Sequence, residues 1–126
     1  MNNLYKVLTS EEWKLASSKG FIITELDKKD GFVHLSTSKQ LAGTLSLYFS
    51  KFEEVILIQL AYDQLKNKLK LESVNSSSKR SGYFYHFYDD LKINQACKVW
   101  NLNRGAFVLP EEVLLQAEHP ENIITE

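Results

Sequence analysis

Asp30-Gly31-Phe32-Val33-His34-Leu35-Ser36-Thr37 is the stretch from which the fold is read. Asp30-Gly31 is a turn signal, and Phe32 to Leu35 is rich in strand-forming residues. Thr37 followed by Gln40 has capping-box spacing, which predicts entry into a helix. Alternation places Val33 and Leu35 on one face of the strand, and Phe32, His34 and Ser36 on the other. His34 is therefore expected to point away from the buried face, beside a hydroxyl and a new helix N-terminus. Backbone N–H groups at such a terminus suit an anion or a phosphate. His86, in a second aromatic strand, is the expected partner.

Before this stretch, Leu4 to Leu8 reads as a first strand. Thr9 and Glu12 form a second capping-box spacing, with Trp13 and Ala16 giving the helix an apolar side and Gly20 ending it. Phe21 to Ile23 is predicted as a short edge strand, and Leu26 to Gly31 as a polar loop. After it, Leu41, Leu45, Tyr48 and Phe49 recur as a core-facing helical stripe. Val55 to Ile58 is a continuous apolar run suited to a central strand. Ala61 to Leu65 reads as a turn or short helix capped by Asp63.

Leu69 to Glu72 alternates, so Glu72 should lie opposite the leucines. Val74 to Gly82 is composed as a flexible loop. Tyr83 to Tyr88 is an aromatic strand closed by Asp89-Asp90, and Asn94 to Leu102 is a last strand. Pro110-Glu111-Glu112 opens a helix, with a polar, frayed end from about Glu118. Short strands with irregularly interspersed helices predict an α+β fold.

The 126 residues make one domain with room for a core. A 44% hydrophobic and 25% charged composition is ordinary for a soluble protein. The formal net charge of −1 gives no electrostatic case for nucleic acid or an anionic membrane. No stretch approaches the roughly 18 apolar residues of a membrane span, and the N-terminus lacks a signal-peptide pattern. A cytoplasmic location is expected. Cys97, the one cysteine, excludes an internal disulfide and reads as a buried thiol. No Cys and His cluster has zinc spacing.

His34 and His86 are the candidate catalytic residues, since an imidazole between packed and open faces can act as acid, base or phosphate ligand. Glu72 would orient one of them if the sheet brings it near. Ser36 and Thr37 are either helix caps or part of an anion site. Tyr85 and Tyr88 could stack on a nucleobase or nicotinamide, although aromatic runs in strands more often serve sheet packing; Tyr88 shares the alternation face of His86 and Tyr85 does not. A metal held by His34, His86 and Glu72 is the least favoured reading.

These residues resemble a bacterial family catalogued as a domain of unknown function. Its hallmarks are an Asp-Gly-Phe-Ile-His-Leu-Ser run and a Phe-Pro-His-Leu-Tyr run. Here they stand as Asp30 to Ser36, with Val33 for isoleucine, and as Phe84 to Tyr88, with Tyr85 for proline and Phe87 for leucine. Leu4 to Val7, Glu12-Trp13, Asp27 and the Leu-x-Glu ending at Glu72 also fit.

The resemblance implies an ADP-ribosyltransferase-like split β-sandwich with two or three helices over residues 1–102. Residues 103–126 would then be a C-terminal extension with a short helix. Within that superfamily the chain looks most like RNA 2'-phosphotransferases, which use NAD and rely on arginines as well as histidine. Arg80 and Arg104 are the only arginines here, and neither falls in a matching strand motif.

The leading expectation is a small enzyme, or former enzyme, whose cleft binds a phosphorylated or nucleotide-like ligand, with NAD as the candidate cofactor. His34 would contact the ligand, and Ser36 and Thr37 would hold its anionic group. His86 would act as acid, base or second ligand, with Glu72 and Tyr88 supporting it, and Asp27 and Tyr88 would complete the binding set. The competing expectation is a non-catalytic binding or regulatory module with structural histidines.

Overall fold

The eight-residue strand Glu54–Ala61, which carries the apolar run Val55 to Ile58, lies at the centre of the fold. In this computed structural model, which describes residues 3–73, 82–103 and 110–118, it is β4. It pairs antiparallel with β1 (Asn3–Thr9) and β8 (Ala96–Asn103), in the order β1-β4-β8. A strand covered on both faces needs apolar residues at odd and even positions alike. Val55 and Leu57 pack on one side with Tyr5, Val7, Leu102 and Val113. Ile56, Ile58 and Leu60 pack on the other with Leu4, Leu8, Ile22, Leu35 and Phe87. Each fully buried side chain of this size contributes about 1.5–3 kcal/mol of transfer free energy.

Helices α3 (Leu41–Tyr48) and α5 (Glu111–Glu118) supply the first side of that core through Leu41, Leu45 and Val113. On the second side lie α1 (Ser10–Lys19), a two-stranded sheet of β2 (Phe21–Ile22) with β7 (Leu91–Lys92), and a three-stranded sheet. The latter has the antiparallel order β3-β6-β5, from Val33–Leu35, Tyr83–Phe87 and Leu69–Ser73. Tyr5 and Ser36 join this sheet to β1 by reciprocal backbone hydrogen bonds of 2.8 and 2.9 Å. The result is a mixed α/β fold built on antiparallel sheets.

The Thr9 capping box and the Gly20 end of α1 are present, Gly20 holding φ 89°. Several local expectations are corrected. The chain has five α-helical elements among the described residues, not two or three. The stretch read as the loop Leu26 to Gly31 is α2 (Glu25–Asp30), capped by Thr24 and closed by Gly31 at φ 84°. Its inward residue is the charged Asp27 and its leucine, Leu26, is half exposed, so it shows no apolar periodicity.

Asp63 does not cap α4 (Tyr62–Leu65), whose N-cap is Ala61. A 3-10 turn, Ser38–Gln40, comes between Thr37 and α3, and a second, Ile93–Gln95, occupies the predicted start of β8. Of the predicted stripe, Leu41 and Leu45 are buried and Phe49 packs half-buried against the same core, while Tyr48 is exposed. Cys97 is exposed as well, on a strand most of whose side chains face solvent. Most of the predicted flexible loop Val74 to Gly82, and the predicted frayed end beyond residue 118, lie outside the described residues.

Candidate functional site

The register of β3 against β6 sets His34 directly opposite His86. Their rings stand 5.6 Å apart, edge to face. The odd residues Val33, Leu35 and Phe87 of the two strands turn to the core, which sends both imidazoles to the opposite face. They open onto a cleft of about 710 Å³ between the β3-β6-β5 sheet and the β1–α3 side of the molecule.

His34 is held at both ring nitrogens. Nδ1 lies 2.7 Å from Asp27 Oδ1, and Nε2 lies 2.8 Å from Asp30 Oδ2. Both contacts are satisfied when the ring carries two N–H groups, since an ionised carboxylate only accepts. Gly31 makes the geometry: its left-handed turn folds β3 back on α2, so that Asp27 and Asp30 of the helix face the strand that follows.

Asp27, 2% exposed, is the hub. Besides the ring it accepts the His34 backbone N–H at 3.1 Å. Lys6 donates to its two oxygens at 3.1 and 2.9 Å, and also to the His34 carbonyl at 3.0 Å. Burial pushes the Asp27 carboxyl up, but His34 and Lys6 together outweigh it and hold it down at about 2. A buried charge pair of this kind is tolerated because every oxygen is hydrogen-bonded.

His86 occupies the second half of the site. Lys70 of β5 stands opposite it and Glu72 lies two residues on, diagonal on the same face. Glu72 Oε1 takes hydrogen bonds from His86 Nδ1 at 2.7 Å and from the Tyr88 hydroxyl at 2.6 Å. The Tyr88 and His86 bonds hold the Glu72 carboxyl below its usual range. An ionised Glu72 puts the imidazole proton on Nδ1 and leaves a lone pair on Nε2. Burial holds His86 below the usual histidine range despite the pull of Glu72. Phe32 stacks on the His86 ring at 3.9 Å and also touches His34 and Tyr88.

Six of the seven candidates read from sequence fall around this region. His34, His86, Glu72, Ser36 and Tyr88 line the cleft, and Asp27 lies directly behind it. Thr37 is buried and does not line it. Ser36 is also mostly buried, and its hydroxyl is shared with that of Thr44 at 2.8 Å. Lys6, Asp30 and Phe32 were not read as site residues. The signal for Lys6 is a lysine inside an otherwise apolar strand. For Asp30 it is a carboxylate four residues before the histidine. Among the described residues no group of three or more His, Cys, Asp or Glu side chains suits a metal ion. No helix among them is long and apolar enough to cross a membrane.

A family model described as "Protein of unknown function (DUF952)" matches residues 7–99, which contain every site residue except Lys6. No curated protein matches the chain. Among solved structures it is similar to the crystal structure of protein CC0527 from Caulobacter crescentus. The identity is 25%, with TM-score 0.76 over 89% of this chain and 98% of that one. The solution NMR structure of CC0527 is similar at 29% identity and TM-score 0.68, over 82% of this chain and 86% of that one. Helix α5 lies beyond the matched family segment.

Proposed function

We propose, taking as premise that this chain belongs to the DUF952 family of proteins of unknown function, that it is a small enzyme whose cleft binds a nucleotide-like ligand of the NAD type. The observation that carries this is the convergence of two histidines, each held by a carboxylate, in one aromatic-walled cleft. A cleft of about 710 Å³ is within the range of small-molecule sites. Two antiparallel sheets joined at the Tyr5–Ser36 bridge are also what a split, ADP-ribosyltransferase-like sandwich would present. The relation to that superfamily belongs to this proposal.

In this reading His86 is the acid or base. Glu72 fixes its tautomer, and Nε2 is the nitrogen that meets the ligand. Asp27 and Lys6 position His34, whose ring forms the floor beside it. The test is titration with NAD and ADP-ribose while following the histidine ring signals by NMR. A shift of the His86 ring at millimolar ligand is expected. If both imidazoles stay still, the nucleotide reading is wrong.

A non-catalytic module with structural histidines is the second reading, favoured by the occupation of both His34 nitrogens. It predicts that His86→Ala lowers the melting temperature and leaves binding of any partner intact. The enzyme reading predicts the reverse.

A further inference from the structure

β8 is an edge strand: β4 pairs with one side of it, and no strand among the described residues pairs with the other. Such an edge offers a row of unpaired N–H and C=O groups, which folds guard by short length, proline, charge or a bulge. The other described edges are guarded. β1 is tied to Ser36 through Tyr5, β2, β3 and β7 are only two or three residues long, and β5 carries Lys70 and Glu72. β8 runs for eight residues without proline. Its one charged side chain, Lys98, is already neutralised by Glu112 of α5. Its one irregularity lies near the start, where Gln59 pairs with Lys98 and Leu60 with Ala96, so that Cys97 is passed over as a bulge.

The side chains of β8 suit a second copy of the same strand. Lys98, Trp100 and Leu102 stand opposite Gln59, Leu57 and Val55 and face the α5 side, whereas Val99 and Asn101 face the other way and are exposed. A twofold axis through the sheet puts residues of one face opposite each other, so it must pass at a residue and not between two. An axis at Val99 would draw the bulged Cys97 into the ladder, and one at Asn101 would leave Lys98 opposite position 104, past the end of the strand. An axis at Trp100 uses the regular run alone. Trp100 then meets Trp100, Val99 meets Asn101, and Lys98 meets Leu102 of the second copy. The half-buried indoles form a cross-strand aromatic pair, and no like charges stand opposite each other. A net charge of −1 leaves little repulsion between copies.

We infer that β8 pairs antiparallel with β8 of a second copy about an axis at Trp100, joining the two β1-β4-β8 sheets into one. No described β8 residue lines the cleft, so both sites stay open and the inference stands apart from the ligand-binding reading.

The test is light scattering and sedimentation equilibrium on the full chain from about 10 μM to about 1 mM, the range suited to an interface made by one strand ladder. The mean mass should rise toward twice that of the monomer. Val99→Lys with Asn101→Lys sets like charges opposite each other and should weaken the dimer about tenfold or more. Val99→Lys with Asn101→Glu sets opposite charges there and should restore it. Both positions are exposed, so thermal melts of the variants should match the parent chain. In a Cys97→Ser background, Trp100→Cys should form an intermolecular disulfide on oxidation, since directly opposed Cα atoms lie about 4.5–5.5 Å apart. A monomer at every concentration overturns the inference and leaves the edge to a strand of an unlike chain. A dimer that the double-lysine variant leaves unchanged, or that the lysine–glutamate variant weakens as much, overturns the pairing as well.

Discussion

Replacing Asp27 by asparagine tests the buried hub on which both halves of the site's first strand depend. The carboxylate holds Lys6, the His34 ring and the His34 backbone N–H at once, at 2% exposure. Its pKa falls from 3.8 to about 2 in the fold, a gap worth about 2 kcal/mol. Because the folded value is the lower one, the unfolded chain takes up the proton first as pH falls. That stability is complete above roughly pH 5, falls as pH drops through about 2, and is gone only by roughly pH 1.

Asp27→Asn removes this contribution and also strands the Lys6 ammonium, 6% exposed, with only a carbonyl for a partner. Breaking a buried pair from one side costs about 3–5 kcal/mol, and the lower end is expected because the His34 carbonyl stays in place. A loss of about 3 kcal/mol corresponds to ~10 °C in melting temperature for a domain of this size. Urea denaturation at a series of pH values from neutral to acid reads both effects. The variant should be weaker at pH 7 and show a flatter acid limb. Adding Lys6→Met should recover at least about 1 kcal/mol, since it removes the stranded charge. A loss below about 1 kcal/mol, or an unchanged acid limb, would refute the account of the network.

Two further outcomes follow from the geometry. The His86 ring should titrate below the usual histidine range by NMR, and Glu72→Gln should move its midpoint lower still, because the Glu72 bond is what raises it; an upward move contradicts the assigned pairing. Gly31→Ala should cost about 1 kcal/mol in chemical denaturation, from the left-handed backbone alone, since no atom lies within 4 Å of the added methyl group. A neutral result would mean that the turn after α2 is not fixed as described.

Strand alternation carried the sequence reading furthest. The outward direction of His34 and the different faces of Tyr85 and Tyr88 rest on a period of two, which a half-buried strand imposes, whereas the pairing of His34 with His86 rests on the register of β3 against β6. The approach of Glu72 was legible only as a condition, because it depends on register between β5 and β6, which no local pattern encodes.

Helix α2 was not legible from hydrophobic periodicity, since its inward residue is a charge and its leucine faces solvent. The Thr24-x-x-Asp27 box and Gly31 were the usable signs. Lys6 escaped because its partner is on another element, and the exposure of Cys97 because how far a strand's faces are covered is decided by the whole fold.

The site's connectivity has a consequence for how it assembles. Asp27 and Asp30 are seven and four residues from His34, and Glu72 is fourteen from His86, so the two histidines belong to separate local cassettes. One is a helix-turn-strand and the other a pair of adjacent strands. Each can organise its own imidazole with little loop-closure cost. Only the three-residue ladder of β3 on β6 brings them face to face. A slip of one residue in that ladder would leave both cassettes intact yet turn one histidine to the core. The joint site thus exists only in the correctly registered chain, and the 5.6 Å proximity of the two rings is a sensor of that register.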